Sequence, residues 1–458
     1  MKLKKLEIEN FKCFQKPQEI DFERLTILTG ANSSGKSSIL YSILGSIQSG
    51  EFPLQFSTNG KYVNMGDFKE ISHNHNTENE ISFGFTFQNG KVQNIKTIWV
   101  EDRKNNLPEL KTLKVESDYF ELSINKSKKY LLNFKYFPEK DPIKGFFEGD
   151  ELKGFFESFS TLLDKKILPK DTETSDKKKD ETKFDDVLAT YNKPQDIVNM
   201  EFTELEELNN YFLTKGNFRL HQVFQSLTKL FVDYDKKVNY ISSFRLHPER
   251  SYLEKSKWEL KVEKFGEGYL DQIIYWESKN PKKFEELVSI MKKLSLLVDI
   301  KTKRSDGGKF EMLVKTKDKG TLASLTDVGF GISQFLPIIV SDLQLPSDST
   351  LFVAQPEIHL HPSVQSSFGG FITDQIKSTQ KNYVIETHSE YFLNRIRLAI
   401  VKGELEEHDL AVYYLDNNKN DAKIHKITFA KNGQILNAPE DFFKTYMIDV
   451  MEIAMNAE

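Results

Sequence analysis

Near the start of the chain, Gly30, Ala31, Asn32, Ser33, Ser34, Gly35, Lys36 and Ser37, with Ser38 behind them, fit the spacing G-x-x-x-x-G-K-[ST]. The chemistry of that spacing is polyphosphate binding. Successive backbone N–H groups must curl round the anion, and side chains at positions 30 and 35 would obstruct the curl. Lys36 would reach the β- and γ-phosphates of a nucleotide such as ATP, and the Ser37 hydroxyl would ligate Mg²⁺.

Three later segments carry polar residues suited to the same site. Residues 325–334 form a glycine-containing loop with Gly329, Gly331 and Ser333, running into an apolar helix at 335–343. A plain helix start reads equally well there when the segment is taken alone. About twenty residues later an apolar strand, 351–354, ends in Gln355, Pro356, Glu357, Ile358, His359, Leu360, His361 and Pro362. Polar residues at the carboxyl end of a strand are where an α/β sheet places its ligand. A further buried strand, from 383, ends in Glu386, Thr387, His388 and Ser389. His388 could donate to a γ-phosphate or sense its loss; its other reading is a helix-capping or core histidine. Alternation puts His359 and His361 on one strand face without a third ligand of matching spacing, which speaks against zinc.

These groups need a framework to bring them together. Residues 25–29 read as a buried strand before the glycine-rich loop and 38–47 as a helix after it, so the helix turns its positive end to the same anion. Strands at 3–11 and 18–22 precede them. From 80 to 136 the pattern has period two, with an Asn89-Gly90 turn, which is an antiparallel meander. Between 141 and about 232 the spacing is helical, with Phe146, Phe147, Phe155, Phe156, Phe159, Leu162 and Leu163 on one face. A charged loop at 170–182 interrupts it, and helices are expected at 202–213 and 220–232. No sustained heptads run through this stretch, so it reads as a compact insertion and not a coiled-coil arm. Beyond it come helices at 269–276 and 282–297, a hairpin of 298–302 with 310–315, strands at 411–415 and 422–427, and a terminal helix from Asp441.

At 458 residues the chain is expected to make two or three domains, divided at 1–140, 141–235 and 236–458. Charged residues are 29% and hydrophobic ones 38%, and no apolar run reaches eighteen residues, so a cytoplasmic protein without a membrane partner is expected. The single cysteine, Cys13, excludes an internal disulfide and a cysteine zinc site. A net charge of −5 confines any nucleic-acid binding to a local patch, for which Arg245, Arg250, Lys301, Lys303 and Arg304 are candidates beside the reading of a solvated basic face.

On these motifs the sequence resembles the ABC-type ATPases of the SMC, RecF and overcoming-lysogenization-defect group. Residues 30–37 look like their Walker A, 326–334 like a degenerate signature motif, 353–357 like Walker B, and His388 like the switch histidine. The Gln-Pro-Glu-x-His-Leu-His-Pro and Glu-Thr-His-Ser phrases resemble the stand-alone members in bacterial anti-phage systems such as Septu and PARIS. The resemblance implies an α/β ABC ATPase head: a mixed, largely parallel sheet, an antiparallel β lobe and a compact helical insertion. It also implies ATP and Mg²⁺ as cofactors and a head-to-head dimer or higher homo-oligomer, the signature of one copy capping the phosphate held by the other.

Departures from the group's pattern shape the functional expectation. Ala354 stands where relatives close the Walker B strand with a carboxylate, and Gln355 where they carry the catalytic Glu. Losing the water's base costs about 10²- to 10⁴-fold, so hydrolysis should be very slow, with Glu357 the substitute acid. Gln48 and Gln55 are Q-loop candidates by position. About seventy residues follow His388, fewer than a fused nuclease domain uses, so an effector nuclease should be a separate chain. The leading expectation is the ATPase of an anti-phage complex that senses infection and controls that effector through ATP-dependent assembly. The alternatives are a non-hydrolysing ATP-bound scaffold and a RecF-like DNA-repair ATPase. An ABC transporter subunit is disfavoured, because the chain lacks Leu-Ser-Gly-Gly-Gln and carries a large insertion.

Overall fold

Every residue of the strand before the glycine-rich loop is buried, as a central parallel strand covered on both faces must be. With strands numbered along the chain, this is β3 (Leu25–Gly30). It pairs in parallel with β16 (Asn382–Glu386) on one side and β17 (Leu410–Asp416) on the other. Beyond β16 lie β15 (Thr350–Ala354) and β10 (Val238–Ile241), also parallel, while β18 (Lys423–Phe429) and β19 (Ile435–Leu436) continue antiparallel beyond β17. Among the described residues the order is therefore β10-β15-β16-β3-β17-β18-β19. The computed structural model describes residues 2–88, 92–137, 197–205, 218–254, 261–417, 421–439 and 442.

The period-two stretch forms a second, antiparallel sheet. Its strands are β1 (Lys2–Glu9), β2 (Gln18–Asp21), β4 (Ile81–Gln88), β5 (Asn94–Asp102), β6 (Leu107–Glu116), β7 (Phe120–Lys126), β8 (Tyr130–Tyr136) and β9 (Ile197–Phe202), in the order β2-β1-β4-β5-β6-β7-β8-β9. The two N-terminal strands thus join the meander and not the sheet of the glycine-rich loop. A small sheet of β11 (Tyr252–Leu253), β12 (Asp299–Ser305), β13 (Lys309–Lys315) and β14 (Ala323–Ser324) contains the expected hairpin, its turn built on Gly307 and Gly308 at positive φ.

Helices α1 (Lys36–Gln48), α2 (Phe68–Ile71), α3 (Phe218–Lys236), α4 (Tyr269–Lys279), α5 (Pro281–Lys293), α6 (Phe330–Gln344), α7 (Pro362–Ser378) and α8 (Glu390–Val401) are divided between two cores, with α2 against β5 of the antiparallel sheet. Strand alternation decides which side chains meet which helices. Leu28, Phe352, Ala354 and Val384 share a core with α1, α3 and the antiparallel sheet. Leu25, Ile27, Leu351, Val353, Tyr383 and Ile385 point the other way, into a core with α4 to α8. Phe231 of α3 ties the first core together, its ring 4.6 Å from Phe52 and 5.8 Å from both Phe85 and Phe87. Each such pair adds about 0.5–1.5 kcal/mol beyond its area burial. In the second core Asp342 of α6 accepts from Lys381 at 3.2 Å and from the Tyr383 hydroxyl at 2.8 Å, fixing α6 against β16.

Several expectations are corrected. Phe202 ends a strand paired with β8 and does not begin a helix. The helix expected at 335–343 starts at Phe330, so Gly331 and Ser333 lie within its first turns and Gly329 caps it. His359 and His361 stand in a turn and a helix cap, not on a strand face. The apolar face at 146–163, the charged loop at 170–182, most of the helix placed at 202–213 and nearly all of the helix from Asp441 fall outside the described residues.

Candidate functional site

The loop at residues 30–35 is shaped by backbone that only glycine adopts freely. Gly30 has φ 139°, and a Cβ there would sit 2.1 Å from the Leu415 carbonyl oxygen. Gly35 has φ 102°, and its Cβ would lie 2.5 Å from Cys13 Sγ and 2.9 Å from the Phe14 ring. Helix α1 starts directly behind Gly35 with no side-chain cap and no acid in its first turn, so its leading N–H groups remain available to an anion. The first bond back is Ile39 N–H to the Gly35 carbonyl. Asn32 and Ser33 are exposed on the loop, Ser33 at φ 58°, while Ser34 is buried. Ser38, beside the loop, lies 3.9 Å from Cys13 Sγ.

Lys36 is 4% exposed, and its ammonium donates to the carbonyls of Ala31 at 2.6 Å and Gly30 at 3.1 Å, and to Ser34 Oγ at 3.5 Å. No carboxylate pairs with it among the described residues. Burial lowers its pKa, opposed by the fields of Glu386 and Glu357. A buried cation held only by neutral oxygens beside unclaimed helix N–H groups fits a phosphate group. Ser37 faces the sheet, and its hydroxyl donates to Glu386 at 3.0 and 3.1 Å from the two carboxylate oxygens.

At the carboxyl ends of β15 and β16 the polar residues converge. Glu357 Oε1 accepts from the His388 N–H at 2.6 Å and Oε2 from Thr387 Oγ1 at 2.9 Å. Burial raises the pKa of both Glu357 and Glu386, and Glu357 adds to the shift of Glu386. The His388 side chain is exposed, and its pKa is lowered by partial desolvation and by the field of Lys36. Gln355 adopts φ 47°; its N–H donates to the Glu386 carbonyl at 2.7 Å, and its carbonyl accepts from Arg245 at 3.2 Å.

Arg245 and Glu386 are the residues that sequence reasoning misplaced or missed. Arg245 is 2% exposed, so it belongs to the site's floor and to no DNA-facing surface. Its guanidinium donates to the carbonyls of Ser242, Ala354 and Gln355, while Nε has no hydrogen-bond partner among the described residues. Burial brings it down to about 10 against the field of Glu357. Of the other basic candidates, Arg250 pairs with Asp327 at 2.5 Å, Arg304 with Glu254 at 3.2 Å and Lys301 with Asp299 at 3.9 Å. The signal for Glu386 was its parity, two residues beyond a side chain facing α1. Gln48 spends its amide on Ser57, Tyr62 and Val63 of the following loop, and Gln55 is exposed.

The signature-like segment packs on the turn after β15 and beside Arg245. Gly331 lets α6 rest on the turn after β15, since a Cβ there would come 2.9 Å from the His359 carbonyl oxygen. Gln334 donates to the carbonyls of Arg245 and Leu246, and Ser333 to the Phe330 carbonyl. Among the described residues no hydrogen bond, ion pair or ring contact joins 326–334 to 30–38.

Solved structures with similarity to this chain include SMC head domains. One, from Pyrococcus furiosus, has an extended coiled coil and is bound to the C-terminal domain of ScpA; it is 12% identical, covering 99% of each chain at TM-score 0.40. Another, from Thermotoga maritima, is 11% identical, covering 93% of this chain and 99% of that one at TM-score 0.35. No protein of curated function matches the chain. A family model described as AAA ATPase domain matches residues 1–393, a span holding the glycine-rich loop, Glu357, Glu386 and His388. The chain belongs to the AAA ATPase domain family.

Proposed function

We propose that this chain is an ATP-binding, slowly ATP-hydrolysing subunit that closes on a second copy of itself when ATP is bound, and through that closure controls a separate effector, a nuclease, in a bacterial anti-phage complex. The observation that carries the nucleotide reading is Lys36: a buried ammonium with no carboxylate partner among the described residues, at the start of a helix without a side-chain cap. ATP fits there, its phosphates taken by Lys36 and the N–H groups of residues 35–38, with Ser37 as the side chain to hold Mg²⁺. The ion would neutralise charge on the phosphate oxygens. Glu357 and Gln355 are assigned to orienting the attacking water. His388 is assigned to donating toward the terminal phosphate.

The homo-oligomer is supported by the absence, among the described residues, of any hydrogen bond between Gly329, Gly331 or Ser333 and this chain's own loop, so that another copy can supply the second half of the site. The defence role rests on the resemblance carried by residues 355–362 and 386–389. No helix among the described residues is long and apolar enough to cross a membrane. Ala354 favours a second reading, an ATP-held scaffold with almost no turnover, because β15 ends without an acid.

Equilibrium binding of a fluorescent ATP analogue, with light scattering in the presence and absence of Mg-ATP, tests the core of the proposal. Binding and assembly by the wild type, both lost in Lys36→Ala, are the expected result; tight binding by the variant overturns it. Single-turnover hydrolysis separates switch from scaffold. Plating efficiency of phage on a host carrying the native locus, with and without Lys36→Ala, tests the defence role, and equal plating overturns it.

A further inference from the structure

The carboxyl ends of the central strands place an acid where the motif pattern does not look for one. In the parallel register Ala354 of β15 stands directly beside Glu386 of β16. Both follow residues of one parity, Phe352 and Val384, whose side chains face α1. Strand β16 lies between β15 and β3, so the acid sits one strand nearer the glycine-rich loop than Ala354 does. Glu386 is 4% exposed, and both of its oxygens lie within 3.1 Å of Ser37 Oγ.

We infer that Glu386 is the carboxylate that anchors Mg²⁺ at Ser37, doing from the neighbouring strand what Ala354 cannot do from its own. The inference rests on the nucleotide reading of the site. A serine hydroxyl has one proton and two lone pairs. With the proton given to Glu386, a lone pair stays free for a cation, and the carboxylate makes that oxygen a stronger ligand. Magnesium takes oxygen ligands and keeps most of its shell for water and phosphate, so one hydroxyl and one carboxylate suffice from the protein. No cluster of three or more His, Cys, Asp or Glu with metal-binding geometry occurs among the described residues, so the cation depends on the nucleotide to complete its shell.

Glu357 is the competing acid, and its surroundings assign it elsewhere. It is held by hydrogen bonds from the His388 N–H and the Thr387 hydroxyl and lies in the field of Arg245, and among the described residues it makes no hydrogen bond to Ser37. Among the described residues Ser37 is the side chain that hydrogen-bonds Glu386, so the acid's contact in this structure is with the hydroxyl assigned to the cation.

The test is the affinity for AMP-PNP by isothermal titration, in EDTA and in excess Mg²⁺, for wild type, Glu386→Gln and Glu386→Asp, with Mn²⁺ binding to each AMP-PNP complex followed by electron paramagnetic resonance. In EDTA Glu386→Asp should bind as wild type and Glu386→Gln no more weakly, since it removes a negative charge beside the phosphates. The affinity gained with Mg²⁺ should fall about 10- to 100-fold in Glu386→Gln, with Mn²⁺ weakened in parallel. If Glu386→Gln fails to fold by thermal melting, Glu386→Asp, which keeps the charge and draws it back by one methylene, is expected to show the same loss. A metal-dependent gain equal to wild type in the folded variants overturns the inference, as does a loss of the same size in EDTA, which marks a merely structural contact. A wild-type chain that binds no analogue in either condition overturns the nucleotide reading itself.

Discussion

The hydroxyl of Ser37, in the first turn of α1, donates to the carboxylate of Glu386, 349 residues further along the chain. This contact ties the start of the glycine-rich loop's helix to the carboxyl end of β16. It also puts a buried acid, raised in pKa, beside a buried lysine that is lowered.

The two buried carboxyls of the site give a pH dependence. The Glu386 and Glu357 carboxyls sit above their ordinary value of 4.5 because burial disfavours the charged form. Between that value and the raised one the folded state binds more protons than the unfolded state. Their contribution to stability is therefore full below about 4.5 and is lost as pH rises through the raised pKa values. The melting temperature of Glu386→Gln, free of nucleotide, should gain on wild type as pH rises through this window. Parallel curves would contradict the assignment.

Lys36→Ala should weaken ATP binding at least about 100-fold, because a charge-assisted hydrogen bond to phosphate is lost from a water-poor site. Removing a buried ammonium that pairs with no acid should leave the melting temperature unchanged or raised. Titration calorimetry and melting, done together, separate loss of binding from loss of fold.

In Gly30→Ala the new methyl would meet the Leu415 carbonyl of β17, backbone that cannot rotate away. Strain at φ 139° adds to the clash, and the expected cost is about 1–3 kcal/mol or more. Urea unfolding measures it, and nucleotide binding should fall with it.

Gly329 offers the opposite case, since a Cβ there meets nothing within 4 Å. Gly329→Glu should leave stability within about 0.5 kcal/mol of wild type. The added acid would repel the phosphate of a second copy, so Mg-ATP should no longer raise the mass seen by light scattering. Unimpaired assembly would show that this segment does not cap the partner's nucleotide.

Arg245→Ala strips donors from the Ala354 and Gln355 carbonyls and leaves Glu357 without its nearby cation. A loss of about 2–3 kcal/mol is expected in denaturant unfolding. Lysine should not restore it, because one ammonium cannot span the carbonyls that the planar guanidinium reaches.

Local sequence determined much of this. The glycine-rich loop was legible because Gly30, Gly35, Lys36 and Ser37 act within one turn of chain, and the backbone they require depends on their own residue types. The period-two meander and the hairpin at Gly307 and Gly308 were legible for the same reason. The helix start at Phe330 was misjudged because small residues are equally at home in a loop, and packing of Gly331 on the His359 carbonyl is a tertiary fact. Phe202 went to a strand because β8 offered it an edge. What only the tertiary structure decided is which acid serves Ser37. The parallel register sets Glu386 beside Ala354, and β16 stands between β15 and the loop's own strand. Burial likewise turned Arg245 from a surface charge into the floor of the site. Neither relation has a signature in residue spacing, since strand order and neighbour register are fixed by packing between separate segments of the chain, up to 349 residues apart.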